Sequence, residues 1–138
     1  MSRPSKIKYY LDIAAAVAAR STCLRRQYGA VIVKNDAIVS TGYNGAARGW
    51  INCSDLKICD RERNNIPHGQ QYEKCKAVHA EANAIIQGNR DEMYGADLYL
   101  VGFENGERLK QAEPCEMCRR MIVNANLRHV YTDADATE

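Results

Sequence analysis

His79 and Glu81 stand two residues apart in "AVHAEANAII", and Cys115 and Cys118 three apart in "PCEMC". An imidazole and two thiolates are donors that suit zinc, which takes four ligands in a tetrahedron. Cysteines at i and i+3 of a helix share a face, so both sulfurs can reach one ion at about 2.3 Å. They fall in a first helical turn, where unpaired N–H groups and the helix dipole favour thiolate over thiol. If the helix start carrying His79 converges on them, three ligands are in place and a fourth position is left for water. Glu81, two residues beyond a ligand, is then placed to take a proton from that water and deliver it to a substrate nitrogen or leaving group. A purely structural zinc knuckle could use the same three ligands but would not need Glu81.

Those residues need elements to hold them. In "KIKYYLDIAAAVAAR", residues 6–20, Ile7, Leu11, Ala14, Val17 and Ala18 fall on one stripe of an amphipathic helix that would cover a sheet. "GAVIVK" and "AIVSTGY" are β-branched runs joined by "KNDA", which reads as a hairpin. Residues 44–75 lack periodicity and hold Gly45, Gly49, Pro67, Gly69 and three cysteines, a loop long enough to need something that orders it. Helical character is expected from near Tyr72 to about Gln87, ending at Gly88. "GADLYLVGF" reads as a strand and "ENGERLKQAE" as a turn or projecting hairpin tip. Pro114 is expected to open the helix "PCEMCRRMIVNA", and "LRHVYT" reads as a last strand. A hairpin followed by helix, strand, helix and strand predicts a mixed sheet with parallel crossovers and helices on its faces.

The 138 residues are 46% hydrophobic and 26% charged, which predicts one compact domain spanning 1–138. A formal charge of +2, from 19 basic and 17 acidic side chains, is too small for a dedicated duplex binder, so an anionic partner should be small or held locally. The sequence has no run of about 18 apolar residues, and "MSRPSKIKYY" lacks the features of a signal peptide. The expectation is a cytoplasmic protein without membrane or nucleic-acid partners, whose six cysteines stay reduced and are better read as ligands than as disulfides.

"HAEANAI" together with "EPCEMC" resembles the zinc-dependent cytidine deaminase superfamily. Within it, "RSTC", "YGAVIV", "TGYNG", "NCSD" and "PHGQQYEKCKAVHAEANAIIQ" are similar to the deoxycytidylate deaminases over nearly the whole chain, with "GYNG" the most discriminating piece. The resemblance implies a cytidine-deaminase-like α/β/α sandwich around a mixed five-stranded sheet. It implies hydrolysis of dCMP to dUMP and ammonia, activation by dCTP, inhibition by dTTP, Mg2+ accompanying the allosteric triphosphate, and a homo-oligomer, usually a hexamer. It assigns Glu81 as the proton carrier and Asn44 as the sugar contact, although Asn is also a common turn residue. The backbone N–H of Ala80 is placed to reach the pyrimidine rim. Arg26, ahead of Arg25, is the candidate for the substrate phosphate. Tyr43, Gly45 and Arg48 resemble the allosteric nucleotide element. Members commonly carry a pocket-shaping tyrosine near the position of Ala136, where this sequence reads "TDADATE", and many have a shorter segment before the Pro-Cys pair.

Cys23, Cys53, Cys59 and Cys75 form a second possible ligand set, suited to a closed structural zinc that would order the long loop. His68 is a rival for the place of Cys59, and ordinary free thiols are the plainer alternative. His129 reads as a surface or sheet histidine. The competing functions are deamination of another cytosine nucleotide, nucleoside or nucleic acid, and a non-catalytic zinc-stabilised nucleotide-binding module. A polynucleotide substrate would call for a basic or aromatic groove, which one Trp and one Phe do not suggest. Glu81 argues against the inert module.

Overall fold

The computed structural model describes residues 2–46, 49 and 77–136. The first helix, α1 (Lys6–Ala18), starts where the Ser5 hydroxyl accepts the Lys8 N–H at 3.2 Å, an N-cap that satisfies one otherwise unpaired donor. Strands β1 (Arg26–Lys34) and β2 (Ala37–Tyr43) form the expected hairpin. Its two-residue loop places Asn35 and Asp36 at φ 52° and 63°, and tight loops of this hand match the twist of the strands. Short strands β3 (Gly45–Ala46) and β4 (Ala77–Val78) pair with each other across the long loop. Helices α2 (Ala80–Gln87) and α3 (Arg90–Met93) precede β5 (Asp97–Glu104) and β6 (Glu107–Arg108). Helix α4 (Glu116–Asn124), strand β7 (His129–Tyr131) and a 3-10 turn at Asp133–Asp135 complete the described chain.

The main sheet runs β2-β1-β5, and the far side of β5 is shared by β6 at one end and β7 at the other. It is a mixed five-stranded sheet, as expected, but among the described strands only β5 and β7 are parallel neighbours, joined by a single crossover through α4. The other pairings are antiparallel, with β1 and β5 in register from Arg26↔Glu104 to Val33↔Asp97.

Period-two alternation divides the core between two faces. Val31, Val33, Tyr99 and Val101 pack under Tyr10, Leu11 and Ala14 of α1. Ala30, Ile32, Leu98 and Leu100 face the opposite way, toward Ala80 and Ala84 of α2, Met93 of α3 and Ile122 of α4. The result is a three-layer α/β/α sandwich. Helix α1 lies so close to β1 that a Cβ on Gly29 would come within 2.1 Å of the Ala14 carbonyl oxygen.

Two sequence expectations change. Helix α2 begins at Ala80 rather than near Tyr72, because Ala77 and Val78 are strand and His79 is extended at φ −70°, ψ 153°. Pro114 does not occupy the first helical position, since Cys115 is the N-cap and Glu116 opens α4. The segment after β5 forms the expected hairpin, β5 pairing with β6 across Asn105-Gly106, and its base is tied down: Arg108 donates to Asp133 at 2.6 and 2.9 Å and to Asp12 at 3.2 Å. Among the described residues, no helix is long and apolar enough to cross a membrane.

Candidate metal centre and catalytic carboxylate

Two helix N-termini meet on one face of the sheet. The β3–β4 ladder, Gly45↔Val78 and Ala46↔Ala77, delivers the chain to His79, whose extended backbone makes it the N-cap of α2. Its side chain makes no capping bond. Cys115 is the N-cap of α4, and its sulfur accepts the Cys118 N–H at 3.5 Å.

The Nδ1 of His79 lies 3.5 Å from Cys115 Sγ and 3.4 Å from Cys118 Sγ, and the three donors fall within 4.8 Å of one another. A tetrahedral zinc with bonds of about 2.3 Å to sulfur and about 2.05 Å to nitrogen requires N-to-S edges of about 3.6 Å. The donor atoms already stand at that spacing, and two sulfurs with one imidazole are a chemistry zinc prefers. Among the described residues three donors converge, the number that an open, catalytic zinc site takes from its protein.

Glu81 is 2% exposed, and its Oε1 has no hydrogen-bond partner among the described residues. A buried carboxylate oxygen without a partner is costly, and such atoms concentrate where something outside the chain completes the bond. Burial pushes the Glu81 carboxyl up to about 7, against which its own backbone N–H and the Cys118 thiol act as donors. The Cys118 thiol is raised well above the usual range, first by burial and then by the neighbouring Glu81 and Cys115. Glu81, Cys115 and Cys118 thus stand close together, an arrangement that a divalent cation would relieve.

The remaining expected site residues are placed less simply. Ala80 is fully buried at the first position of α2, where a helix leaves its N–H without an internal partner. The Asn44 side chain is held by the protein: Oδ1 accepts from Ser21 Oγ at 2.6 Å and from Tyr28 N–H at 2.8 Å, while Nδ2 donates to the Arg26 carbonyl at 2.9 Å. Arg26 lies inside β1, and its Nη2 pairs with Glu104, its register partner on β5, at 3.2 Å. The Arg20 guanidinium lies 6.0 Å from the Tyr43 ring centre, and a Cβ on Gly45 would meet Thr22 Oγ1 at 2.8 Å. Cys23 is half-buried and unbridged, and its carbonyl accepts from Gln27 at 2.7 Å. His129 is exposed on β7 beside Tyr131. Arg48, Cys53, Cys59, His68 and Cys75 lie outside the described residues.

Three residues that the motifs alone do not single out help to build the site. Ser21 fixes Asn44 by donating to both its side chain and its carbonyl. Asn83 donates to the Tyr43 carbonyl at 2.8 Å, and Ser40 donates to the Ala84 carbonyl at 2.6 Å, so α2 is bonded to β2 at both points. Asn83 left a signal, being a polar side chain one turn beyond His79 in a helix of otherwise small and apolar residues near that face.

Residues 4–134 match the family model described as the cytidine and deoxycytidylate deaminase zinc-binding region. The chain is 38% identical over 135 residues to the deoxycytidylate deaminase of Mycobacterium phage D29, covering 94% of this chain and 95% of that one. It is 31% identical over 131 residues to the deoxycytidylate deaminase of Saccharomyces cerevisiae, but spans only 38% of that longer protein. Among solved structures, the dCMP deaminase of cyanophage S-TIM5 in complex with dCMP and dUMP superposes with a TM-score of 0.63 at 24% identity, over 96% of this chain and 83% of that one. That last likeness concerns the fold.

Proposed function

The chain belongs to the cytidine and deoxycytidylate deaminase family, a family of hydrolytic deaminases, and we propose that it converts dCMP to dUMP and ammonia at His79, Cys115, Cys118 and Glu81. The observation that carries this reading is the buried Glu81 Oε1, unpartnered among the described residues, beside three convergent zinc donors. Bound zinc would supply Lewis-acid activation of a water molecule near neutral pH. Glu81 accepts the proton from the attacking water and passes it to N3 of the pyrimidine. The C4–O bond forms in that attack; Glu81 then carries the proton of the new C4 hydroxyl to the C4 amino group, the C4–N bond breaks, nitrogen leaves as ammonia and C4 keeps its oxygen as a carbonyl. Burial of Glu81 keeps its carboxyl away from bulk water, so its protons are exchanged with the bound water and substrate rather than with solvent. The N–H groups opening α2 and α4 orient positive partial charge toward the reacting ring.

The choice of dCMP follows the substrate named for the phage relative, with Asn44 toward the sugar and Arg26 toward the phosphate. Sequence resemblance extends the proposal to activation by dCTP and inhibition by dTTP through Tyr43, Gly45 and Arg48, with Mg2+ accompanying the triphosphate, in a homohexamer. It also extends to a second, structural zinc on Cys23, Cys53, Cys59 and Cys75. One observation favours a second reading: Arg26 is already paired with Glu104, which suits a cytosine nucleoside lacking the phosphate. Ultraviolet monitoring of metal-analysed protein with dCMP, deoxycytidine, CMP and dCTP separates the two. Loss of cytosine absorbance with dCMP far faster than with the others supports the nucleotide reading. Equal turnover of deoxycytidine supports the nucleoside, and no turnover of any of them contradicts both.

A further inference from the structure

Asn83 touches two parts of the site at once. Its Nδ2 donates to the Tyr43 carbonyl at 2.8 Å, and its backbone N–H donates to the carbonyl of His79 at 3.0 Å. Gly45 in turn pairs with Val78, the residue before His79. The chain from Tyr43 to Gly45, the ladder to Val78, His79 and the Asn83 side chain therefore close a ring of bonded contacts. The only side-chain link in that ring is Asn83.

The rest of α2 is held elsewhere along the same strand. Ser40 Oγ reaches the Ala84 carbonyl at 2.6 Å, and Gln87, one turn beyond Asn83, donates to the Thr41 carbonyl at 3.0 Å. Four helical residues rise about 6 Å and two strand residues about 6.7 Å, so amides four apart on α2 fit carbonyls two apart on β2. Gln87 thus makes the same bond as Asn83 at the end of the helix remote from the donors. The pair separates anchoring of the helix from placement of its first turn.

We infer that Asn83 is a positioning residue, fixing His79 and Glu81 relative to the Tyr43–Gly45 segment. The inference rests on the deaminase reading for the use it gives those two residues. It predicts that removing the Asn83 donor lets the first turn of α2 drift, a displacement that matters more to chemistry and to metal geometry than to folding.

The test compares Asn83→Ala and the equally sized Asn83→Asp, which cannot donate to a carbonyl, with Gln87→Ala. Each is assayed for thermal midpoint, zinc affinity by chelator competition, and kcat and KM with dCMP. Both Asn83 variants should lose about 10-fold or more in kcat and about 10-fold in zinc affinity, with KM changing by less than about 3-fold. Gln87→Ala should stay within about 2-fold of wild type in both, at a comparable thermal midpoint. Asn83 variants that match Gln87→Ala in kcat and zinc affinity would overturn the inference. If the wild-type protein deaminates none of the cytosine compounds, the deaminase reading fails, and the zinc affinities alone still decide the role of Asn83.

Discussion

The two helices that open onto the candidate centre are held in different ways. Helix α2 is fastened to β2 by hydrogen bonds from Ser40, Asn83 and Gln87, and by an approach so close that a Cβ on Gly42 would sit 2.3 Å from the Ala84 nitrogen. Helix α4 buries only Cys118 and Ile122, while Met117 and Val123 are 53% and 70% exposed. Among the described residues, its side-chain bonds to another element are those of its cysteines to His79 and Glu81. One half of the centre is therefore built by the sheet, and the other is positioned by a small apolar contact and by the donors themselves. A metal joining the two would act on α4 as a structural bolt and on α2 hardly at all.

Zinc removal tests that contrast with the largest effect. Chelation should abolish deamination and speed backbone hydrogen exchange across residues 113–124 far more than across 80–87. Equal loosening of both helices would break the comparison. Truncating the main apolar anchor of α4, Ile122→Ala, should destabilise the protein by about 2–5 kcal/mol in denaturant unfolding and weaken zinc binding as well. A variant that loses this stability while keeping wild-type zinc affinity would show that α4 does not need its packing to present its cysteines. Gly42→Ala probes the other helix by forcing a methyl against α2. Overpacking of this kind should destabilise by about 1–3 kcal/mol, with the larger share of activity loss coming from a displaced Glu81. A Gly42→Ala protein as stable and active as wild type would mean that α2 is not seated as closely as described.

Much of the fold was legible because its elements are long and periodic. The α1 stripe reads at helical spacing, and Leu11, Ala14 and Ala18 are indeed fully buried. The β1–β2 hairpin announces itself by Asn35-Asp36, whose left-handed backbones those residue types tolerate. The two-residue strands β3 and β4 and the four-residue α3 are too short to show a period, and β4 sets the start of α2 later than its sequence suggests. The spacing of His79, Cys115 and Cys118 announced a possible ligand set, since i,i+3 geometry is local. The environments of Asn44 and Arg26 were not legible, because their partners are remote. Ser21 is 23 residues from Asn44, and Glu104 is 78 from Arg26.

The proposed deamination requires Glu81 to move protons rather than bind metal, and one paired measurement on Glu81→Gln addresses it. Zinc content and dCMP turnover are determined on the same purified sample. The amide keeps the size of the side chain but neither accepts the water proton nor passes it on, so turnover should fall by about 10²- to 10⁴-fold while bound zinc stays at the wild-type level. Wild-type turnover at full zinc occupancy, or loss of zinc in step with loss of turnover, would contradict it.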